Sequence, residues 1–343
     1  MTEIGDFCLP DPGTLFRARD SIYASDLLLA AAVHLDLFSR LENRPLDRRG
    51  ICSTLSIQDR PADVMITLFT AMGLVERRHG RFGLTPLSRS FLTRNSNQSL
   101  IPYFASLGQR SVCRSMLNVL RTGEPASWAD SNRQEWVSAM EDAEFAESFT
   151  AAMDSRGAFF APLLAKCLNC RDRTRLLDIG GGSGIYACHL VREHPHLEAS
   201  ILEKPPADAV AGGFIETTGL SDRIGIVAGD MFEGIPPGYD VHLFSNVLHD
   251  WNQGNVERVL ARSFESLLPG GVIAIHDTHV NADKTGPLEV AEYSVLLMYS
   301  TEGKCYSISE MNGLLEAAGF NDFEYAPMRS HRSLITARKR WSG

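Results

Sequence analysis

The sequence predicts an α/β protein: a doubly wound, mostly parallel sheet that ends in an antiparallel hairpin, preceded by a mostly helical region. Three observations carry this prediction. A strand-like run, Arg175 to Ile179, passes through the turn Gly180-Gly181-Gly182-Ser183-Gly184 into Ile185 to Val191, which has the apolar spacing of a helix. Downstream, short apolar runs alternate with helical patterns, the order that builds a parallel sheet. Upstream, helical patterning dominates, with one hairpin signal.

The N-terminal region opens with residues 21–41, read as one long helix. Leu27, Leu28, Ala31, Ala32, Leu35 and Phe38 fall at helical spacing, and Ser21 or Asp26 would cap its start. After Pro45 come helices at 49–55 and 62–72, the second opened by Pro61 and closed by Gly73. Residues 74–85 read as a two-stranded hairpin turning at His79-Gly80. Helix, turn, helix, hairpin is a winged-helix pattern with two readings. Arg77, Arg78 and Arg81 in the wing favour a DNA-binding regulator. Against it, the would-be recognition helix has Arg60 before it, Asp63 in its first turn, and core-like Met65, Leu68, Phe69 and Met72, where a reading helix needs polar side chains. The preferred reading is dimerisation and a wall for the substrate site. Residues 99–121 and 134–167 are also helical. The latter carry Trp136, Met140, Phe145, Phe149, Met153, Phe159 and Phe160, a stripe that suits either core or pocket wall. The domain boundary is set near Ala151, dividing the chain into 1–150 and 151–343.

Further strands are expected at 199–202, 224–228, 240–244 and 272–275, with helices at 206–219 and 256–268. Residues 323–326 and 334–337 read as the closing hairpin.

A formal net charge of −9 argues against nucleic acid or an anionic membrane as the main partner. The seven cysteines are scattered, and Cys167 and Cys170 lack the further ligands of a structural zinc site. Reduced thiols, an acidic N-terminus without an apolar signal region and no apolar run of membrane length lead us to expect a cytoplasmic protein.

The glycine spacing separates two chemistries. A dinucleotide turn would be Gly-x-Gly-x-x-Gly, but the position of its last glycine is Ile185. The pattern present, Asp178-x-Gly180-x-Gly182-x-Gly184, resembles the first motif of S-adenosylmethionine (AdoMet) dependent methyltransferases. Glu203 follows at the end of the second strand, where an acid accepts hydrogen bonds from ribose hydroxyls, in NAD and AdoMet alike. In Gly229-Asp230-Met231-Phe232, after the third strand, Asp230 would accept from an adenine amino group while Met231 and Phe232 sandwich the ring. Asn246-Val247-Leu248-His249-Asp250-Trp251 follows the fourth strand, at the edge where parallel sheets bind ligands. An imidazole there is suited to take a proton from a hydroxyl near neutral pH.

Together these segments resemble the small-molecule O-methyltransferases of the caffeate and hydroxyindole type, including bacterial enzymes of secondary metabolism. The likeness spans nearly the whole chain, from the winged-helix region to Leu314-Leu315-Glu316-Ala317-Ala318-Gly319-Phe320. It implies a Rossmann-like AdoMet domain, a homodimer joined through the N-terminal domains, and an aromatic or polycyclic small-molecule acceptor. It further implies Asp178, Gly180, Gly182, Gly184, Glu203 and Ser245 against the cofactor, with Asp230, Met231, Phe232 and Trp251 at its adenosine end. Met153 and Arg156 would reach it from the preceding helix. His249 would be the general base and Asp277 its orienting acid, with no metal required; Phe145, Phe159, Asn246, Met298, Tyr299 and Cys305 would face the acceptor. One departure stands out: Gly303-Lys304-Cys305-Tyr306-Ser307 has a thiol where the family commonly has a second acid flanking the histidine. A thiol is a weak acceptor. C-methyl transfer, a DNA-binding regulator and an NAD-dependent dehydrogenase are the alternatives.

Overall fold

The computed structural model describes residues 9–126 and 142–340; Trp136 and Met140 lie outside the described residues. The chain opens with α1 (Gly13–Asp20), a helix the apolar pattern did not disclose. The long helix expected over 21–41 is broken into α2 (Ala24–Leu29), a π-helical turn (Ala30–His34) and α3 (Leu37–Leu41). The π turn adds a residue per turn, so Leu27, Leu35 and Phe38 stay buried even though Asp36, left-handed at φ 51°, ends the helix axis. Ser21 lies at the end of α1 and caps nothing downstream; Asp26 is buried inside α2.

Next come α4 (Arg48–Leu55), capped by the Asp47 carboxylate, and α5 (Asp59–Ala71), with Pro61 in its first turn. Strands β1 (Val75–Arg78) and β2 (Arg81–Leu84) form the expected hairpin. His79 and Gly80 at its tip are both left-handed, at φ 49° and 77°, as a tight two-residue hairpin turn requires. This order is compatible with a winged helix, but Pro61 through Phe69 of α5 are all buried, leaving that helix no face for a groove. After α6 (Pro86–Phe91), the helical region from 99 divides into α7 (Ile101–Ala105) and α8 (Ser111–Thr122). Helix α9 (Ala143–Cys167) then runs 25 residues without a break at Ala151.

The central sheet holds β3 (Arg175–Ile179), β4 (Glu198–Glu203), β5 (Ile224–Ala228), β6 (Val241–Ser245) and β7 (Val272–Asp277) in parallel. Their connecting helices are α10 (Ile185–Glu193), α11 (Ala207–Thr218) and α12 (Gln253–Ser266). Helices α13 (Leu288–Ser300) and α14 (Ile308–Ala317) follow β7, and β8 (Asn321–Pro327) and β9 (Ser333–Arg338) close the chain as an antiparallel hairpin. The strand order is β5-β4-β3-β6-β7-β9-β8. It reverses direction between β3 and β6, the switch point at which such sheets bind ligands.

Helix α13 was not expected. It is buried on nearly every side, so it carries no amphipathic period. Its Ala291, Val295 and Met298 belong to the N-terminal core beside Leu27, Met65 and Phe69, which wedges a helix from the sheet half into the helical half. Among the described residues no helix is long and apolar enough to cross a membrane.

Candidate active site

Where the strand order reverses, the carboxyl ends of β3, β4 and β6 open into a cavity of about 470 Å³, roofed by α9 and α13. Such a volume suits a cofactor or drug-sized ligand. Gly180, Gly182, Glu203, Asp230, Met231 and Phe232 line one side of it.

The glycine turn divides its labour. Gly182, at φ 57°, has open space where a Cβ would stand, so its backbone meets the cavity bare. Gly184 does not line the cavity; a Cβ there would lie 2.1 Å from Ile201 Cδ1, so this glycine lets α10 pack closely on β4. Beneath the turn, Asp178 is fully buried under Gly181, and burial pushes its carboxyl up to about 7, opposed by the Ala187 amide. Asp178 therefore supports the turn from below and is not in the cavity wall.

The Gly182 N–H donates to Glu203 Oε2 at 3.0 Å and the Lys204 N–H to Glu203 Oε1 at 2.8 Å. Both bonds orient the carboxylate and leave acceptor capacity on each oxygen for a diol. Asp230 Oδ1 accepts from the Phe232 amide at 2.7 Å, and its Oδ2 pairs with Lys204 at 3.2 Å. Phe232 and Trp251 meet edge to face at 4.6 Å, an apolar slot for a flat ring. A bare glycine backbone joined to a diol-accepting acid, then an Asp and two aromatic rings, fits AdoMet from ribose to adenine.

His249 and Asp277 face each other from adjacent strand ends, β6 and β7. The His249 Nδ1–H donates to Asp277 Oδ1 at 2.5 Å, which leaves Nε2 as the acceptor nitrogen. Burial alone would lower the His249 pKa; Asp277, and Asp250 with its Oδ1 3.7 Å from Nε2, outweigh it, and the imidazole sits above its ordinary value. Burial likewise opposes ionisation of Asp277, but the adjoining imidazole holds its carboxyl well below the usual range. Asp250 lacks such a close partner, and burial pushes it up to about 6.

Residues 121–321 match the family described as O-methyltransferase domain. The chain belongs to this family. It is an S-adenosylmethionine-dependent O-methyltransferase. The 3-hydroxy-5-methyl-1-naphthoate 3-O-methyltransferase of Streptomyces sahachiroi is 30% identical over 86% of this chain and 85% of its own. The tetracenomycin polyketide synthesis 8-O-methyl transferase of Streptomyces glaucescens is 27% identical over 96% and 97%. Among solved structures, a family 2 O-methyltransferase from Planctomyces limnophilus in complex with apigenin is 30% identical, with a TM-score of 0.87 over 99% of each chain. The cofactor is AdoMet, so the dinucleotide and DNA-binding alternatives lose their ground.

Of the residues expected in this methyltransferase's site, Met153, Arg156, Ser245, Asn246, His249 and Trp251 also line the cavity. Ser245 is engaged: its hydroxyl bonds His276 Nδ1 at 2.8 Å and accepts from the Asn246 amide at 3.2 Å. Five residues expected on the acceptor side are packed elsewhere. Met298 is buried in the N-terminal core, and Tyr299 stacks on Tyr23 at 4.1 Å. Phe159 packs against Phe16 and Phe160, and Phe145 stacks on the cavity residue Phe149 at 6.1 Å. Cys305 is buried 3.3 Å from Thr278 Oγ1, and burial pushes its thiol well above the ordinary range. The second carboxylate near the histidine comes instead from Asp250, in the same turn.

Sequence reasoning passed over Tyr293, whose ring meets His249 edge-on at 5.7 Å, because α13 itself was not expected. It also missed Asp154, which accepts from Ser183 Oγ at 2.5 Å and lines the cavity one residue after Met153. His276 and His279 stay neutral: burial pushes them down to about 3 and about 4, and each Nδ1 bonds a serine. Among the described residues no three His, Cys, Asp or Glu side chains gather as a metal site.

Proposed function

We propose that this enzyme moves the AdoMet methyl group to a hydroxyl of an aromatic or polycyclic small molecule, with His249 as general base. The observation that carries the reading is the buried 2.5 Å pair of His249 and Asp277 at the wall of the AdoMet cavity. Bound AdoMet supplies an electrophilic methyl on a sulfonium, so the chain need only position an acceptor oxygen and take its proton. His249 Nε2 accepts that proton, and Asp277 stabilises the imidazolium through Nδ1–H. Positioning is worth about 7–11 kcal/mol at best, and proton abstraction about 10²–10⁴-fold. Gly180, Gly182, Glu203 and Ser245 hold the ribose and methionine portions; Asp230, Met231, Phe232 and Trp251 hold the adenosine end. Met153 and Arg156 close over them from α9. The hydroxynaphthoate in one relative's name, the apigenin bound to another, and the Phe149, Met153 and Tyr293 side chains at the cavity support a flat acceptor.

The same reading keeps residues 1–150 as the dimerisation and wall domain and 151–343 as the AdoMet domain, in a cytoplasmic homodimer. Ile22, Leu100, Tyr103 and Leu107, exposed on the helical half, support a second copy as cover.

The test is turnover of hydroxynaphthoates and hydroxyflavones, followed by product NMR and calorimetry with S-adenosylhomocysteine. Wild type should yield an aryl methyl ether. His249→Asn should lose about 10²–10⁴-fold in kcat with S-adenosylhomocysteine affinity unchanged. A methyl found on carbon removes the hydroxyl acceptor; a parallel loss of affinity removes the base.

A further inference from the structure

Arg60 lies in the first turn of α5, and it points inward. Its half-buried guanidinium lies within hydrogen-bond distance of four main-chain carbonyls, three of which share the two Nη1 hydrogens. Nη1 reaches Met298 O at 3.3 Å, Thr301 O at 3.2 Å and Gly303 O at 2.8 Å; Nη2 reaches Gly123 O at 2.6 Å. These acceptors include the end of α13 and the loop that follows it.

Gly303 is pressed against the turn that carries the base. A Cβ at Gly303 would lie 1.9 Å from the His249 carbonyl oxygen and 2.7 Å from the Asp250 carbonyl carbon. A little further on, the Tyr306 hydroxyl donates to Trp251 O at 2.8 Å. Asp63, one turn along α5 from Arg60, grips the same segment through Lys304 Nζ at 2.5 Å. Residues 303–306 thus form a backing strip between α5 and the 248–251 turn, in the segment that holds Cys305. Of the carbonyls that Arg60 meets, Gly303 O lies in the strip itself, and Met298 O and Thr301 O lie in the helix end that leads into it, so the guanidinium ties the strip and its approach to α5 at more than one point.

We infer that Arg60 is a positioning residue for the methyl-transfer reaction: through Gly303 it sets the placement of the His249 turn, so the helical half tunes the base without touching any reactant. The inference rests on the base role proposed above. The groups facing His249 are Asp277 on β7, Asp250 in its own turn, Arg156 on α9 and Tyr293 on α13. A slip of the turn costs mainly the short bond to Asp277, because that bond depends on both strand ends.

The experiment compares Arg60→Met, Arg60→Lys, Gly303→Ala and the Arg60→Met/Gly303→Ala double variant in the full chain. It reads kcat, S-adenosylhomocysteine affinity and the NMR titration of the His249 ring. Arg60→Met and Gly303→Ala should each lower kcat about 10–100-fold, the scale of a small misplacement remote from the chemistry, with a smaller loss of affinity because Trp251 rides on the same turn. In both, the His249 midpoint should move to lower pH as the Asp277 pairing is lost. Arg60→Lys should fall between. The double variant should be little worse than the poorer single, since both act through one contact. Losses that multiply, or a His249 midpoint unmoved in both single variants, overturn the inference. Should Arg60→Met fail to fold, Arg60→Lys decides: wild-type kcat and midpoint in that folded variant overturn it. Failure of the base reading is distinct, because it appears as retained turnover in His249→Asn.

Discussion

At the residue scale, the proposed base is a histidine whose pKa is set by two opposed forces. Burial disfavours the imidazolium; Asp277 and Asp250 favour it, and they win. Activity that needs neutral His249 should therefore rise with pH through a midpoint above the ordinary histidine value. Asp277→Asn removes the larger attraction and leaves burial in place, so the acid limb should move to lower pH. The rate should fall by about 10²–10⁴-fold, because the ring loses its fixed tautomer and the imidazolium its counter-charge. A pH–rate profile checks both; an acid limb that stays put would detach it from His249. The residues legible beforehand were those at strand ends: Glu203, Asp230 and His249 were readable because a strand's carboxyl end in a parallel sheet is a location in space as well as in sequence. Phe159, Met298 and Tyr299 were not, because an aromatic or sulfur side chain on a helix reports burial without saying against what.

At the element scale, the glycine turn shows how one motif holds two kinds of constraint. Gly182→Ala places a methyl in open space at the cavity wall, where the cofactor is proposed to lie. It should leave thermal stability within about 1–2 kcal/mol, the cost of a left-handed alanine, while S-adenosylhomocysteine affinity falls at least about tenfold. Gly184→Ala instead drives a methyl into Ile201, and should destabilise the fold by about 2–4 kcal/mol through overpacking and the same backbone strain. Thermal denaturation with and without ligand separates the two, and equal behaviour would refute the division. The strands were readable from their apolar runs, whereas residues 21–41 were read as one helix because a π turn and a left-handed Asp36 leave the buried stripe nearly in phase. Periodicity registers which face is buried, and a local change of winding that preserves the face is silent.

At the scale of the whole molecule, the two halves are joined by α13 and by a cluster of charges around Asp63, which Arg48 also meets at 2.9 Å. Lys284 and Lys304 each bridge Asp63 on α5 and Glu310 at the start of α14, at 2.5–2.7 Å. Burial opposes the Asp63 charge, but the two lysines hold its carboxyl far below the ordinary range. Asp63 thus contributes stability above its unfolded pKa that is lost as pH falls. Asp63→Asn, which leaves two lysines sharing Glu310 and takes one of two acids from Arg48, should cost about 3 kcal/mol at neutral pH. The gap to wild type should shrink in acid, as urea titrations at several pH values would show; a gap constant with pH would mean the charge is not the cause.

What the amino-acid order determined alone was everything encoded locally: the strand–glycine–helix unit, the alternation that makes the sheet parallel, the closing hairpin, and the acid and imidazole at successive strand ends. Only the tertiary structure decided what depends on which surfaces meet. It wedged an apolar helix of the sheet half into the helical half and turned Arg60 away from solvent toward the strip behind His249. It also left Cys305 in the core while Asp250 took the place beside the ring. Local pattern is set by bonds along the chain, but facing is set by the packing of residues hundreds of positions apart, and no window of sequence contains both partners.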